Sequence, residues 1–372
     1  MALKVFHTGD LHLGMLYMSR GYPEEIRREL VEARFRTLEK MVEKANAEEC
    51  QLFVVTGDLF ERLNIKEEQI LRAARALSSF SGVCGVLPGN HDYYIPGGLL
   101  WEKFCEYAGD NIVTLFECRP YNLKDFGLDA TLYPAPCWAK HSSVNGIKWI
   151  FELAEKPETR WHLGLAHGTV EGYSPDFDQH YYPMQEEEIV ATGLDFWFLG
   201  HTHVRLPARD EFLNGYFAYC GTPEPDGFDC WHEGSAWIIR LGEEVGVEGK
   251  AVITGHYTFK DLEKTVNKAT EIEALARELS GRGDHTLARL KLQGILPRAD
   301  FENRHYWRDK MKERLFYLEW NDTLLQMEIN RDTIGELFTE GSFPFLLLER
   351  LAKGEDRKAL QLAYALINEV KK

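Results

Sequence analysis

The sequence predicts an α/β protein: a two-sheet β-sandwich flanked by helices, followed by a smaller α+β domain and C-terminal helices. Three observations lead there. Roughly the first 250 of the 372 residues alternate short apolar runs with helix-patterned stretches, an order that implies parallel strands covered by helices. Strand candidates then continue in numbers sufficient for a second sheet. After about residue 258 the texture changes to charged helical stretches separated by two further strands. The expected domains are therefore 1–258, 259–330 and a helical extension over 331–372.

The elements follow in order. Leu3–Thr8 reads as a strand ending in Gly9-Asp10. Pro23 opens a helix whose apolar positions Ile26, Leu30, Ala33, Leu38, Met41 and Ala45 recur every three to five residues. Proline in the first helical turn forfeits no hydrogen bond, because that N–H has no intrahelical partner. Gln51–Thr56 is the next strand, followed by a helix near 66–80, strand Gly82–Leu87 and a helix near 98–108. Further strands are expected at Thr131–Tyr133, His162–Ala166, Phe196–Leu199, Gly215–Cys220 and Ser235–Leu241. Beyond them come a helix near 261–279 ending at Gly281-Arg-Gly283, strand Thr286–Leu292, a charged helix near 300–313, strand Leu315–Trp320 and apolar-striped helices. A middle domain of about 70 residues folds only marginally by itself.

Composition narrows the classes. Hydrophobic residues make up 44%, enough for a substantial core. The formal net charge is −16, which argues against a general nucleic-acid coat. The longest apolar runs, Leu52 to Val55 and Phe343 to Leu348, fall far short of the roughly 20 residues that span a bilayer. Met1-Ala-Leu-Lys-Val-Phe leads straight into a strand, so no secretory leader is expected. Seven cysteines (50, 84, 105, 118, 137, 220 and 230) are scattered and never spaced C-x-x-C, fitting neither a disulfide framework nor a thiolate zinc site. A reducing compartment, the cytoplasm, is the expected location.

Five blocks carry the chemistry: Gly9-Asp10-Leu11-His12, Gly57-Asp58, Gly89-Asn90-His91-Asp92, His167-Gly168 and Gly200-His201-Thr202-His203. Each follows or closes a predicted strand, and strand ends in α/β sheets are where loops converge on a crevice. Aspartate supplies an anionic oxygen able to bridge two cations, histidine a neutral nitrogen, and asparagine a carbonyl oxygen. This mixed set without thiolate suits Mn, Fe or Zn. Two such ions can activate water and clamp an in-line displacement at phosphorus. An Asp-x-His or a Gly-Asn-His-Asp alone is an ordinary turn; their joint occurrence after five strands is not. The remaining histidines (7, 141, 162, 180, 232, 256, 285 and 305) lack that context, with His7 and His162 expected to face the interior from strands.

In this order the blocks resemble the calcineurin-like metallophosphoesterase superfamily across about the first 240 residues. Gly9-Asp10-Leu11-His12-Leu13-Gly14 and Gly57-Asp58-Leu59-Phe60 resemble most closely its DNA repair exonuclease branch, the SbcD- and YhaO-like nuclease subunits. Arg289-Leu-Lys-Leu-Gln-Gly294 is similar to the opening strand of that branch's capping domain, and Phe338-Thr-Glu-Gly-Ser-Phe343 to YhaO-like tails. The resemblance implies a metallophosphoesterase fold and a catalytic domain over 1–258. It implies two divalent ions, Mn²⁺ foremost: one on Asp10, His12, Asp58 and His203, the other on the bridging Asp58 with Asn90, His167 and His201. A metal-activated hydroxide would attack the phosphodiester, with His91 protonating the leaving oxygen and Asp92 orienting His91. The implied activity is a Mn-dependent 3′–5′ exonuclease or endonuclease acting in DNA repair. Implied partners are DNA, a second copy through the helices near 66–80 and 98–108, and an SMC-like ATPase at the C-terminal helices. Nucleases of this type often carry histidine three residues past the bridging aspartate, where this chain has Glu61.

Two segments stay open. Arg289–Arg314 holds eight basic and four acidic residues around His305, Tyr306 and Trp307. It reads either as a solvated helix face with aromatics turned inward or as a stacking surface for bases. The loop Gly172–Pro183, with Tyr173, Phe177, His180, Tyr181 and Tyr182, lines a substrate channel or tucks against the core. The alternative activities are a phosphodiesterase or phosphatase for nucleotides and small phosphoesters, and a non-catalytic scaffold, against which the filled ligand positions argue.

Overall fold

The computed structural model describes residues 2–174, 180–243, 246–354 and 356–370, without the side chains of 280 and 282. It forms two compact units: Met1–Asp226 with His232–Tyr257, and Gly227–Trp231 with Thr258–Lys372.

The first unit starts β1 (Leu3–Thr8), α1 (Glu24–Ala47), β2 (Leu52–Thr56), α2 (Glu67–Ser78), β3 (Val83–Leu87), α3 (Leu99–Tyr107), β4 (Ile112–Thr114) and β5 (Tyr121–Asn122). It continues with β6 (Ala130–Ala135), β7 (Trp161–His167), α4 (Glu186–Ala191), β8 (Phe196–Gly200), β9 (Glu211–Leu213), β10 (Phe217–Tyr219), β11 (Ser235–Gly242) and β12 (Gly246–Ile253). One sheet runs β4-β3-β2-β1-β11-β12-β9, parallel from β4 to β1 and antiparallel beyond. The other runs β10-β8-β7-β6-β5, parallel except at β5.

Period-two alternation explains the layering. Leu52 and Val54 of β2 share a core with Leu163, Leu165, Phe196 and Phe198 of the facing sheet. Phe53 and Val55 point the other way, into a core with Leu38 and Met41 of α1, Leu77 of α2 and Trp101 of α3. The second sheet turns Trp197 and Leu199 outward onto Ile150 and Ile189. Each such side chain contributes about 1.5–3 kcal/mol. The two-sheet sandwich flanked by helices that the sequence predicts is thus the observed architecture. All six predicted apolar positions of α1 are buried. Strands β4, β5, β9 and β12 are additions; three of these four have only two or three residues, too few to impose a pattern.

The second unit holds β13 (Thr258–Thr265), α5 (Ala269–Leu279), β14 (Thr286–Leu296), α6 (Arg298–Glu302), α7 (Arg304–Lys312) and β15 (Tyr317–Met327), an all-parallel three-stranded sheet. Helices α8 (Arg331–Leu337), α9 (Phe343–Ala352) and α10 (Arg357–Val370) enclose a separate small core of Ile329, Ile334, Phe338, Leu348 and Leu360. One expectation fails here. The helix predicted near 261–279 begins only at Ala269, because Thr258–Thr265 pairs residue for residue with Thr286–Gln293. The charged run Lys260–Lys264 mimics a helix face, but its charges meet cross-strand partners: Asp261 with Arg289 and Glu263 with Lys291. Tertiary pairing overrides the local pattern.

Candidate metal centre

All five motif blocks sit at the C-terminal ends of parallel strands: β1, β2 and β3 of one sheet, β7 and β8 of the other. The backbone there is unusual. Asp10, His12, Asp58 and His201 have φ of 50°, 48°, 50° and 93°, a left-handed region that non-glycine residues seldom occupy. Each such residue costs about 1–3 kcal/mol and persists only when its surroundings dictate it. Here they do. The loops after β1 and β2 zip together, Asp10 N to Gly57 O at 3.1 Å, His12 N to Asp58 O at 2.9 Å and Leu13 N to Leu59 O at 2.9 Å. Thr222 donates its hydroxyl to the Asp10 carbonyl at 2.9 Å. Arg34, fully buried on α1, donates to the Leu11 carbonyl and to the Tyr17 hydroxyl, both at 2.7 Å.

Two glycines are required by close approach. A Cβ at Gly57, whose φ is +88°, would lie 2.1 Å from His167 Nδ1. At Gly89 it would lie 2.2 Å from Asp58 Oδ1. Side chains at either place would occupy the space the cluster uses.

The seven predicted ligands converge. His12 Nε2 lies 3.1 Å from His203 Nε2 and 3.8 Å from Asp58 Oδ2. His203 Nε2 is 3.8 Å from Asp10 Oδ1. On the other side His167 Nε2 lies 3.3 Å from Asp58 Oδ2 and 2.9 Å from Asn90 Oδ1, and His201 Nδ1 lies 3.2 Å from that same amide oxygen. The His201 amide N–H donates to both Asp10 carboxylate oxygens, at 3.0 and 3.1 Å. His167 Nδ1 donates to the Thr56 carbonyl at 2.8 Å, which turns Nε2 towards Asp58. Asp10, His12, Asp58, Asn90 and His167 are almost wholly buried. Three overlapping triplets, Asp10–His12–His203, His12–Asp58–His91 and Asp10–Asp58–His167, each bring their ligand atoms within 4.8 Å of one another.

The electrostatics fit a cation. Burial opposes charge on Asp58, His12 and His167, yet the Asp58 carboxyl is held well below its ordinary range by His167, His12 and His91. His167 is lifted to about 9, burial being outweighed by Asp58. His12 is raised in the same way, burial being overcome by Glu61, Asp58 and Asp10. Buried carboxylates that draw protons onto neighbouring imidazoles are short of positive charge, and oxygen and nitrogen donors without thiolate suit a divalent ion.

His91 and Asp92 diverge. His91 keeps a third of its side chain exposed; its N–H donates to Asp58 Oδ1 at 2.8 Å and its Nδ1 lies 3.1 Å from the Glu61 carbonyl. Asp92, expected to orient His91, instead accepts from the backbone N–H of Gly89 at 2.7 Å and of Phe60 at 2.9 Å. Each of its oxygens thereby helps to shape the loops. Burial and the nearby Asp58 push its carboxyl up to about 7. The residue that does meet the histidines is Glu61, whose Oε2 lies 2.9 Å from His12 Nδ1 and 3.9 Å from His91 Nδ1. Its spacing from Asp58 marks it in the sequence, though only as a departure from the resembled pattern. Arg34 and Thr222 carry no sequence signal, being an isolated charge on a helix and a threonine in a loop.

The open segments resolve in part. Six of the eight basic residues in Arg289–Arg314 are ion-paired: Arg289 to Asp261 and Glu319, Lys291 to Glu263, Arg298 to Glu302 and Glu336, Arg304 to Asp322, Arg308 to Asp309, and Lys310 to Glu313. Trp307 packs on the core of the second unit while Tyr306 is exposed. In the 172–183 loop, Tyr182 is buried and its hydroxyl accepts from Trp138 and Ala139 N–H. Tyr181 instead sets its ring 4.7 Å from that of His201. Phe177 lies outside the described residues.

A sandwich whose strand ends gather aspartate, asparagine and histidine in this way defines a metal-dependent phosphoesterase. The calcineurin-like phosphoesterase family model matches residues 3–205, over half the chain, and the chain belongs to that family, whose members use a dinuclear divalent-metal centre. It is 27% identical over 214 residues to the uncharacterized metallophosphoesterase YhaO of Bacillus subtilis, covering 55% of this chain and 49% of that one. It is 28% identical over 234 residues to the DNA double-strand break repair protein Mre11 of Methanopyrus kandleri, covering 60% and 49%. Both relatives fall in the branch that the motifs resemble. The chain spans about half the length of these relatives. Among solved structures, TT1561 of Thermus thermophilus is similar over 64% of this chain and 94% of its own, at 10% identity and a TM-score of 0.39. Among the described residues, no helix is long and apolar enough to cross a membrane.

Proposed function

We propose that this chain is a Mn-dependent nuclease that hydrolyses phosphodiester bonds in DNA during repair. Asp10, His12, Asp58 and His203 would hold one ion, and Asp58, Asn90, His167 and His201 the other. When bound, the ions supply positive charge for the phosphate and lower the pKa of a water. The chain's own part falls to His91. Partly exposed beside the ligands, anchored through its N–H to Asp58 and through Nδ1 to the Glu61 carbonyl, it offers Nε2 to a leaving oxygen. That placement is the observation that carries the reading, since histidine is the side chain suited to giving a proton near neutral pH. DNA as substrate is supported by the Mre11 relative. The cytoplasmic location, pairing with a second copy through α2 and α3, and an SMC-like ATPase at the C-terminal helices belong to the same reading.

A second reading, hydrolysis of nucleotides or small phosphoesters, is favoured by one observation: the basic segment of the second unit is largely neutralised by its own acids. One assay separates the two. Labelled duplex and single-stranded DNA of defined ends and a small aryl phosphodiester are offered with Mn²⁺, with Asp58→Asn as control. The nuclease reading expects metal-dependent shortening of DNA that the control lacks. Turnover of the aryl ester with intact DNA would leave the small-substrate reading standing. Wild-type turnover of DNA by His91→Asn would remove the assigned acid.

A further inference from the structure

Glu61 touches two histidines through two different groups. Its carboxylate Oε2 lies 2.9 Å from His12 Nδ1, and its backbone carbonyl lies 3.1 Å from His91 Nδ1. The two rings stand edge to face, 4.8 Å between centroids, with the Glu61 side chain about three-quarters buried beside them. The carbonyl can only accept, so His91 Nδ1 carries hydrogen and its Nε2 is directed elsewhere. The carboxylate, also purely an acceptor, stands at ion-pair distance from His12 Nδ1, and among the described residues these two buried atoms have no other hydrogen-bond partner, so each is the natural partner of the other. For His12 that direction is defined: Nε2 faces His203 Nε2 and the Asp58 carboxylate, the side on which the cluster's other donors converge. A histidine whose far nitrogen donates to a carboxylate is a stronger, better-oriented ligand, and removing such an outer partner typically costs about 10–100-fold in metal affinity.

We propose that Glu61 is a positioning residue that sets the tautomer and aim of both histidines, its side chain tuning how tightly the His12 half of the cluster holds a divalent cation and its backbone holding His91. The division is built in. A substitution at 61 can delete the carboxylate but leaves the carbonyl in place, so the two roles can be separated. The shape of the neighbouring loops supports this reading, since Glu61 N–H is itself fixed to the Leu13 carbonyl at 3.1 Å. The residue is therefore anchored at the point where the loops after β1 and β2 meet, and its side chain is not a free surface group.

The inference rests on the cluster being a cation site, and the experiment keeps the two apart. Chelator-stripped full-length wild type, Glu61→Gln and Glu61→Ala are titrated with MnCl₂ by calorimetry, and histidine-labelled samples are examined by proton–nitrogen NMR. Wild type that takes up no Mn²⁺ defeats the cation reading itself. If wild type binds, Glu61→Ala is expected to weaken one of the sites by about 10–100-fold. Glu61→Gln, whose amide oxygen still accepts from Nδ1–H, should fall between. The downfield Nδ1–H resonance of one histidine should persist in Glu61→Gln and vanish in Glu61→Ala. Unchanged affinity and an unchanged histidine spectrum in Glu61→Ala would overturn the proposal, as would loss of a whole equivalent of Mn²⁺ in Glu61→Gln, which would make Glu61 a direct ligand. Should Glu61→Ala fail to fold, Glu61→Gln decides through the same two readouts.

Discussion

The two units dispose of charge in opposite ways. The first buries it: carboxylates of Asp10 and Asp58 lie among four histidines, held by strained backbone and short of compensating charge. The second spends it on the surface, where Arg289 sits between Asp261 and Glu319 and Lys291 faces Glu263 across adjacent strands. Exposed pairs of this kind are worth about 0–1 kcal/mol each, whereas a buried, incompletely balanced cluster shapes everything around it. Uncompensated buried charge marks a place where something must bind; neutralised surface charge marks a solvated face.

The sharpest break in that contrast comes from Asp58→Asn, which removes the carboxylate proposed to be shared by two ions. Since loss of an outer partner alone costs about 10–100-fold, loss of a proposed ligand should lower metal-dependent hydrolysis of an aryl phosphodiester by more than about a hundredfold. A smaller loss would deny the cluster its special status. Next is acid sensitivity. His7 on β1 is completely buried, and burial, only partly offset by a hydrogen bond with Leu199, lowers its pKa to about 3. The folded value lies below the ordinary 6.5, so the unfolded chain takes up a proton the folded chain refuses. Stability from this source is intact above pH 6.5 and drains away as pH falls towards 3. Denaturant titrations between about pH 4 and 7 should show wild type losing on the order of 3 kcal/mol more than His7→Asn. Parallel curves would refute the assignment.

Gly57→Ala probes strain directly. With φ of +88° and His167 in the way of a Cβ, it should destabilise by about 1–3 kcal/mol and depress hydrolysis, read as a lower melting temperature and rate. The second unit supplies the matching controls. Gly335, inside α8 with open space around its Cα, should gain about 0.5–1 kcal/mol on replacement by alanine, with hydrolysis unaltered. Arg289→Ala should change unfolding free energy by less than about 1 kcal/mol despite its two partners. A large effect there would mean the surface ladder is more than a solvated face.

What could be read from sequence divides along physical lines. The apolar spacing of α1 and the central strands is local, fixed by which residues must be buried, and it places Ile26 to Ala45 and β1, β2, β3, β7 and β8 correctly. The seven converging side chains were legible because each follows a strand and carries donor chemistry. Asp92 and β13 were not. The Asp92 carboxylate is claimed by the N–H of Phe60, 32 residues away, and the charged residues of β13 find their partners across a parallel strand pair. Contacts of that kind leave no local period. Glu61 lies between the cases, visible as a substitution in a motif, with its partner histidines identified only by folding.

The seven side chains do not hang from one layer. Asp10, His12, Asp58 and Asn90 extend from the sheet of β1–β3, and His167, His201 and His203 from the sheet of β7 and β8. The gap they bridge is set by the filling between the layers, where Leu52 and Val54 meet Leu163, Leu165, Phe196 and Phe198. Trimming or enlarging one of those apolar residues, distant from any reacting atom, would reset the jaw, so that the spacing of the donor atoms is written in the oil of the sandwich as much as in the donors themselves.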